Sequence, residues 1–464
     1  MTQRIPSIAL LATLLFGSAC AHKAAWEPID LGQLPTASSH PQADGIVLLD
    51  EEQVRFHVDP STQKPFADVR SHQRVRLFKS DAQWLARATV GYTAEDSDVL
   101  DFRARVITPD GKTREYEKKE AIDRPSYSGA LYDDIRELSF HFSGAGAGAV
   151  VEYESLIRYK EPMLFNLGQA FQRGLPTTRI RFEVIAPRGW EIEWMARVLN
   201  ERVDGFSPAA TSTATESRWV WERTNVAPFE NEPFAPGRFL GPLLLVRLAL
   251  WAEAGQDKRA PRSPEELSAF YGKIHAGKAD DTPELRAIVQ EQLSGVPDVP
   301  RLKARKLFEF VRDQIQYCII DLGHLGGWIP SPAHEVLRVR YGDCKDKANL
   351  LRALLSIAGI DSRSAVLFSH HGYPKAFGFP SLGANFNHQI LIVKLPDGDV
   401  VCDPTDRPVP FGELPVRDTE AELLPIDPAG APLQRTPAIT AEQSQERQQL
   451  VESVGIRRAQ KRTV

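Results

Sequence analysis

Tyr341-Gly342-Asp343-Cys344-Lys345-Asp346-Lys347-Ala348 is the stretch that decides how this chain is read. Asp343 is a good N-cap, and Asp346, three residues on, completes the spacing of a capping box. Leu351, Leu354, Leu355 and Ala358 follow at helical spacing, and Gly359 closes the run as a C′ glycine. Cys344 is thereby predicted at the first position of a buried, capped helix. Free amides and the helix dipole stabilise an anion there. A thiol so placed can fall from roughly 8.5 towards 7 or below. Lys345 and Lys347 add positive potential, and the same amides can hold an oxyanion at an attacked carbonyl. A cysteine at a helix start is, by itself, no more than a small buried side chain.

Two further segments point to chemistry. His388 opens the apolar run His388-Gln389-Ile390-Leu391-Ile392-Val393, and Val400-Val401-Cys402 leads into Asp403-Pro404-Thr405. Pro396-Asp397-Gly398-Asp399 between them is a hairpin signal. A two-residue turn centred on Asp397-Gly398 sets Asp403 opposite Ile392 and on the same sheet face as His388, because side chains repeat every two residues. The two are then offset by about 13 Å along the strand. A bulge, strand twist or a longer irregular turn must close that distance. A catalytic thiol needs a base, and the base needs a third group to fix its tautomer. A cysteine on a helix, a histidine on one strand and an aspartate on the next supply these in order.

Gly342-Asp343-Cys344-Lys345-Asp346-Lys347-Ala348, Asn387-His388 and Asp403-Pro404-Thr405 together resemble the transglutaminase-like superfamily, relatives of the papain-like cysteine proteases. More narrowly, the chain is similar to bacterial exported proteins that join a β-rich N-terminal domain of unknown function to such a core. The pattern from Tyr317 through Gly323, Pro330 and Val336-Leu337 to Gly342 fits the same group. The resemblance covers residues 46–425, most specifically 317–405. It implies an α+β, papain-like core with Cys344 as nucleophile, His388 as base and Asp403 as orienter, working without a cofactor.

Upstream of the core, the apolar period is that of helices: Ser263-Pro264-Glu265-Glu266 and Thr282-Pro283 are helix starts, and Leu307, Phe310, Val311 and Ile315 mark a third. Residues 46–255 instead alternate with period two, as at Arg74 to Leu77, Phe102 to Val106, Val151 to Arg158 and Ile180 to Val184. Such strands with Gly/Pro punctuation predict an antiparallel, sandwich-like β domain. Phe239 to Trp251 is too short to span a bilayer and reads as a buried strand. Glu253 to Arg262 reads as a linker, residues 21–45 as a tether, 262–425 as the core, and 426–464 as a flexible tail.

The first 20 residues have the form of an export signal: Arg4, the apolar run Ile8 to Phe16, then the small residues Gly17-Ser18-Ala19. Cys20 follows them, an arrangement that resembles a bacterial lipoprotein signal with Cys20 lipidated. Cleavage of a plain secretory signal is the other reading, and Gly17 stands where lipoprotein signals usually carry Leu. The expected location is periplasmic, or lipid-anchored to the outer membrane. Export implies an oxidising compartment. Three cysteines, 318, 344 and 402, remain, so at least one is unpaired within the chain. Cys318 with Cys402 is the pairing that spares Cys344.

A net charge of −5 over 464 residues, with no basic face interleaved with aromatics, argues against a nucleic-acid partner. His324, His334, His370, His371, Cys344 and Cys402 have no C-x₂-C or H-x₃-H spacing, so no metal site is expected. Asp343, Asp346 and Lys347 support the nucleophile's helix start. Trp328 and Tyr317 precede it; they either pack against its helix or line the cleft and assist the oxyanion. The stretch from His370 to Gly383 is a surface loop or one that gates the cleft. The expected activity is cysteine-dependent acyl transfer on a protein or peptide amide of the cell envelope, through a thioester on Cys344, ending in hydrolysis or transamidation. The rival is a catalytically silent module that binds protein or polysaccharide on the same scaffold.

Overall fold

Strands of period two need a partner layer for their apolar face. In the computed structural model of the chain they find it in a sandwich. The structure describes residues 25–126, 132–160, 167–198, 201–230, 241–321, 327–369 and 386–439. The signal segment with Cys20, the His370 to Gly383 stretch, His324 and the tail beyond residue 439 lie outside the described residues. Two units divide the chain at Pro35. The described part of the first, residues 25–35, holds one short 3-10 turn, Leu31–Gln33, whose N-cap Asp30 accepts from the amide of Gly32.

One layer is an eight-stranded sheet in the order Ala209–Ser212, Glu216–Val226, Thr177–Pro187, Gly45–Val58, Pro65–Leu77, Val150–Tyr159, Ser97–Ile107, Thr113–Glu117. Its inner face packs on two smaller sheets through two separate apolar clusters. Phe102, Phe140 and Phe142 centre the first, against the strands Arg87–Thr93, Ile135–His141 and Ile122–Pro125. Phe182, Trp221 and Leu248 centre the second, against the sheet containing Leu243–Glu253 and Glu191–Val198. Burying these side chains is worth about 1.5–3 kcal/mol each before entropy is counted.

The other face is ionic. Arg103, Glu154, His72, Glu51, Arg181 and Glu222 stand directly opposite one another on six successive strands, with basic and acidic side chains alternating. Beside that row Glu152, fully buried, takes His72 at 2.6 Å, Arg74 at 2.7 Å and Arg105 at 2.6 Å.

Three expectations change. The large sheet is not wholly antiparallel: Gly45–Val58 runs parallel to Thr177–Pro187. The chain leaves that sheet after Tyr159, enters the second layer at Leu167–Ala170, and returns on the far side of its first strand. A crossover of that kind yields parallel neighbours. The predicted linker is partly a hairpin, because Gln256–Arg259 pairs back on Leu243–Glu253. The segment after residue 425 is not a free tail, at least as far as residue 439. Ile426, Ala431 and Thr436 are buried, and Gln434–Arg435 adds a strand to the core sheet.

Among the described residues the core has five helices: α1 (Pro264–Ile274), α2 (Pro283–Leu293), α3 (Pro300–Gln314), α4 (Ala333–Val339) and α5 (Cys344–Ile357). The first three start at a proline with a preceding cap position, and Ser263 and Thr282 accept from Glu266 and Leu285 amides. The sheet beside them runs Val400–Cys402, His388–Val393, Ser362–Leu367, Glu422–Pro425, Gln434–Arg435, all antiparallel. Leu391, Val393 and Cys402 join the helical core with Leu350, Leu351 and Leu354 of α5. Ile390 and Ile392 face the other way, under Leu414 and Leu423.

Candidate active site

Cys344 is the first residue of α5, and the cap that fixes it is complete. The Asp343 carboxylate accepts from the amide of Asp346 at 3.2 Å, and the Asp346 carboxylate accepts from the amide of Asp343 at 3.4 Å. Asp346 also accepts from the Ser331 amide at 2.7 Å, which ties the α4 approach to the helix start. Gly342 has no room for a side chain, since a Cβ there would lie 2.7 Å from the Asp346 Cβ. Burial raises the Asp343 carboxyl to about 6, against the opposing pull of Lys345.

His388 and Asp403 meet at the opposite wall. The observed register pairs Val393 with Val400 and Leu391 with Cys402. The six residues 394–399 therefore form a longer connection than the tight turn at Asp397-Gly398 would give. Continuing this register sets Asp403 opposite Ile390 instead of Ile392, halving its offset from His388. Strand parity places both on the Ile390, Ile392 and Val401 face. The ring Nε2 lies 3.1 Å from Asp403 Oδ2. The carboxylate is wholly buried, and Thr405 holds it with its amide at 2.8 Å and its hydroxyl at 2.9 Å. With Nε2 turned to Asp403, Nδ1 is the nitrogen left for the thiol, and Cys344 is near enough to help raise the ring's proton affinity. Asn387 fixes the strand's entry: its side chain accepts from the Ser369 amide at 2.7 Å, and its own amide donates to Leu367.

The electrostatics favour a charged ring. Burial pushes the His388 imidazole down, yet Asp403 and Cys344 together raise it well above its ordinary value. Burial likewise works against the Asp403 carboxylate, but the His388 charge and the hydrogen bonds from His388 and Thr405 hold it at about 2. The charged His388–Asp403 pair leaves an imidazolium beside Cys344, the arrangement a cysteine nucleophile uses.

Residues 286–397 match the model of the transglutaminase-like superfamily. The chain carries a transglutaminase-like domain. Residues 67–230 match a domain of unknown function with a solved structure, DUF3857. A crystal structure of a proposed protease from Parabacteroides distasonis superposes with a TM-score of 0.64 at 14% identity, covering 86% of this chain and 72% of that one. At that identity the likeness is one of fold. A proposed cysteine protease from Cytophaga hutchinsonii aligns at 9% identity over 73% of this chain and 76% of its own, with a TM-score of 0.22. No curated protein matches the sequence.

Within the transglutaminase-like domain the lysines beside the nucleophile have structural employment. Lys345 is buried on the Asp343 carboxylate. The Lys347 ammonium is buried against the carbonyls of Ile315 at 2.7 Å and Arg312 at 3.2 Å, and burial lowers it to about 8. Trp328 packs 5.6 Å from the Tyr271 ring, and its carbonyl faces His275 Nε2 at 2.9 Å. Tyr317 stays partly exposed; burial and the charge of Cys344 raise its phenol, keeping it a neutral donor. Cys318, Cys344 and Cys402 are all unbonded, so Cys318 and Cys402 do not pair. Cys402 is sealed in the helical core, where burial pushes its thiol up. His334 is engaged with Asp280.

Sequence reasoning missed the turn Val416–Asp418. Arg417 reaches Asp406 at 3.0 Å and lies 3.9 Å from Asp403. Asp418 Oδ2 lies 4.0 Å from the His388 ring nitrogen. No motif marks Pro415-Val416-Arg417-Asp418-Thr419, and only the fold brings it to the site. His388, Asp403 and Asp418 offer ligand atoms within 4.8 Å of one another, the one such trio among the described residues. Asp403 already holds the imidazole of that trio.

Proposed function

We propose that this protein is a cysteine-dependent acyl-transfer enzyme acting on amide bonds of peptides or proteins in the cell envelope. The observation that carries the reading is the buried His388–Asp403 pair beside a cysteine at the capped start of α5. The Cys344 thiolate attacks the amide carbonyl, and free amides at the helix start receive the oxyanion. His388 passes its proton to the departing amine, leaving a thioester on Cys344. Water or a second amine, deprotonated by His388, then attacks the thioester and frees the thiol. Hydrolysis is the favoured outcome in a water-rich compartment.

The test is trapping. Incubated with envelope extracts and an amine-bearing probe, the wild-type protein should pass an acyl group through Cys344 onto the probe as an amide adduct, and Cys344→Ala should form none while keeping its circular dichroism spectrum. An adduct of equal yield with Cys344→Ala would end the reading. The export-signal pattern of residues 1–20 supports a location outside the cytoplasm, with Cys20 as a lipid anchor. Radiolabelled palmitate should enter the wild-type protein and not Cys20→Ser; a wild-type protein without label would remove the anchor.

A further inference from the structure

The site holds one more carboxylate than a cysteine–histidine–aspartate arrangement needs. Asp418 is completely buried, and among the described residues neither of its oxygens accepts a hydrogen bond in good geometry. Its charged and polar neighbours are His388, Asp403, Ser369 and Arg417. A carboxylate taken out of water costs free energy unless something offsets it. Arg417 is directed to Asp406, and the group that faces Asp418 is the His388 ring. The turn that carries Asp418 is held firmly: the Asp418 carbonyl accepts from the Thr436 hydroxyl at 2.6 Å, and the Asp418 amide donates to Pro415. Leu414 and Leu423 seat the flanking chain on the sheet face that bears His388.

Building on the acyl-transfer reading, we propose that Asp418 is a positioning residue for His388, a second buried carboxylate that keeps the imidazolium charged and in place against the thiol. Asp403 takes the ring N–H directly; Asp418 adds negative potential at the same nitrogen from a turn on a different part of the chain. The groups at the ring are Cys344 from α5, Asp403 after the Val400–Cys402 strand and Asp418 from the turn, with Arg417 near Asp403 and with Lys345 and Tyr317 near Cys344. Lys345 is neutralised by Asp343. Removing Asp418 therefore leaves the ring with Asp403 and the thiolate as its anions, and with Arg417 close by. Burial, together with Asp403, raises the Asp418 carboxyl to about 6 despite His388. The group thus gains its charge just below neutrality.

Iodoacetamide alkylation of full-length protein, scored at the Cys344 peptide by mass spectrometry from pH 4 to 10, tests this without knowledge of the substrate. In the wild type, Cys344 should alkylate appreciably below neutrality, as an ion-paired thiolate does. Asp418→Asn should cut that rate by about three- to tenfold near pH 7 and move the upper inflection, where His388 loses its proton, down by about half a unit or more. The same variant should melt higher than the wild type at pH 8, because it removes a buried charge. Slower alkylation with a raised melting temperature separates positioning from simple damage to the fold. His388→Ala is the control. If it slows Cys344 while Asp418→Asn overlays the wild-type profile, the role of Asp418 is refuted and the enzyme reading stands. If His388→Ala also overlays the wild type, the enzyme reading itself fails.

Discussion

Asp403 shows how a single residue's surroundings set its chemistry. A carboxyl with no solvent exposure would ordinarily be neutral, yet this one is held at about 2 because its neighbours outweigh its burial. Its folded value lies below its unfolded one. The pair therefore contributes stability that is complete above about pH 4 and fades as pH falls towards 2. His388 has the opposite sign: its contribution is complete below about pH 6.5 and is lost as pH rises through its raised folded value. Between those limits both charges hold. Asp403→Asn keeps the volume but presents an amide to Nε2. It should lower the acyl-transfer rate by about 10²-fold or more while the circular dichroism spectrum is unchanged, and single-turnover kinetics on any trapped substrate would check it. The three residues of this site were legible in sequence because each sits beside a local signal: a capping box, the start of an apolar strand, an Asp-Pro-Thr. Asp418 has no such signal, since only tertiary packing gives it a partner.

The elements were legible where one period dominated. Proline and cap residues marked α1 and α2 to the residue, and Cys344 fell where Asp343 placed it. What the sequence left open was register. Asp397-Gly398 is a strong tight-turn signal, but Lys394 to Asp399 form a longer connection. The two registers differ by two residues and so bury the same face, with Leu391, Val393, Val400 and Cys402 turned to the helices in either. The same six residues act as a ruler for the site. With the tight turn, Asp403 would sit about 7 Å farther along from His388. The segment after residue 425 was misread for a related reason. Its polar composition suggested solvent, while Ile426, Ala431 and Thr436 are the few side chains by which it holds the sheet. A strand of two residues leaves almost no periodic trace.

At the scale of the whole molecule, the ionic face of the large sheet is the feature most sensitive to conditions. Burial alone would raise Glu152, but His72, Arg74 and Arg105 hold it at about 2. Its stabilising contribution is therefore complete above about pH 4.5 and declines as pH falls towards 2. Glu152→Gln strands the Arg74 and Arg105 guanidiniums, and breaking a buried ionic cluster in this way costs roughly 3 kcal/mol. Thermal melts of wild type and variant should differ most near neutrality and converge at pH 2–3; a constant difference across that range would contradict the assignment. A second long-range feature is smaller. Gln316–Tyr317 runs beside Tyr341–Gly342 at the threshold of the nucleophile, and three residues later Ile320–Asp321 pairs with Tyr132–Asp133 of the β-rich half. One short peptide is thus stitched at one end to the thiol's doorstep and at the other to the neighbouring domain. Excising the papain-like half would cut the second stitch and leave bare amides three residues beyond Tyr317. Loss of reactivity in such a fragment would then reflect a slackened seam, with no need to invoke a lost substrate contact.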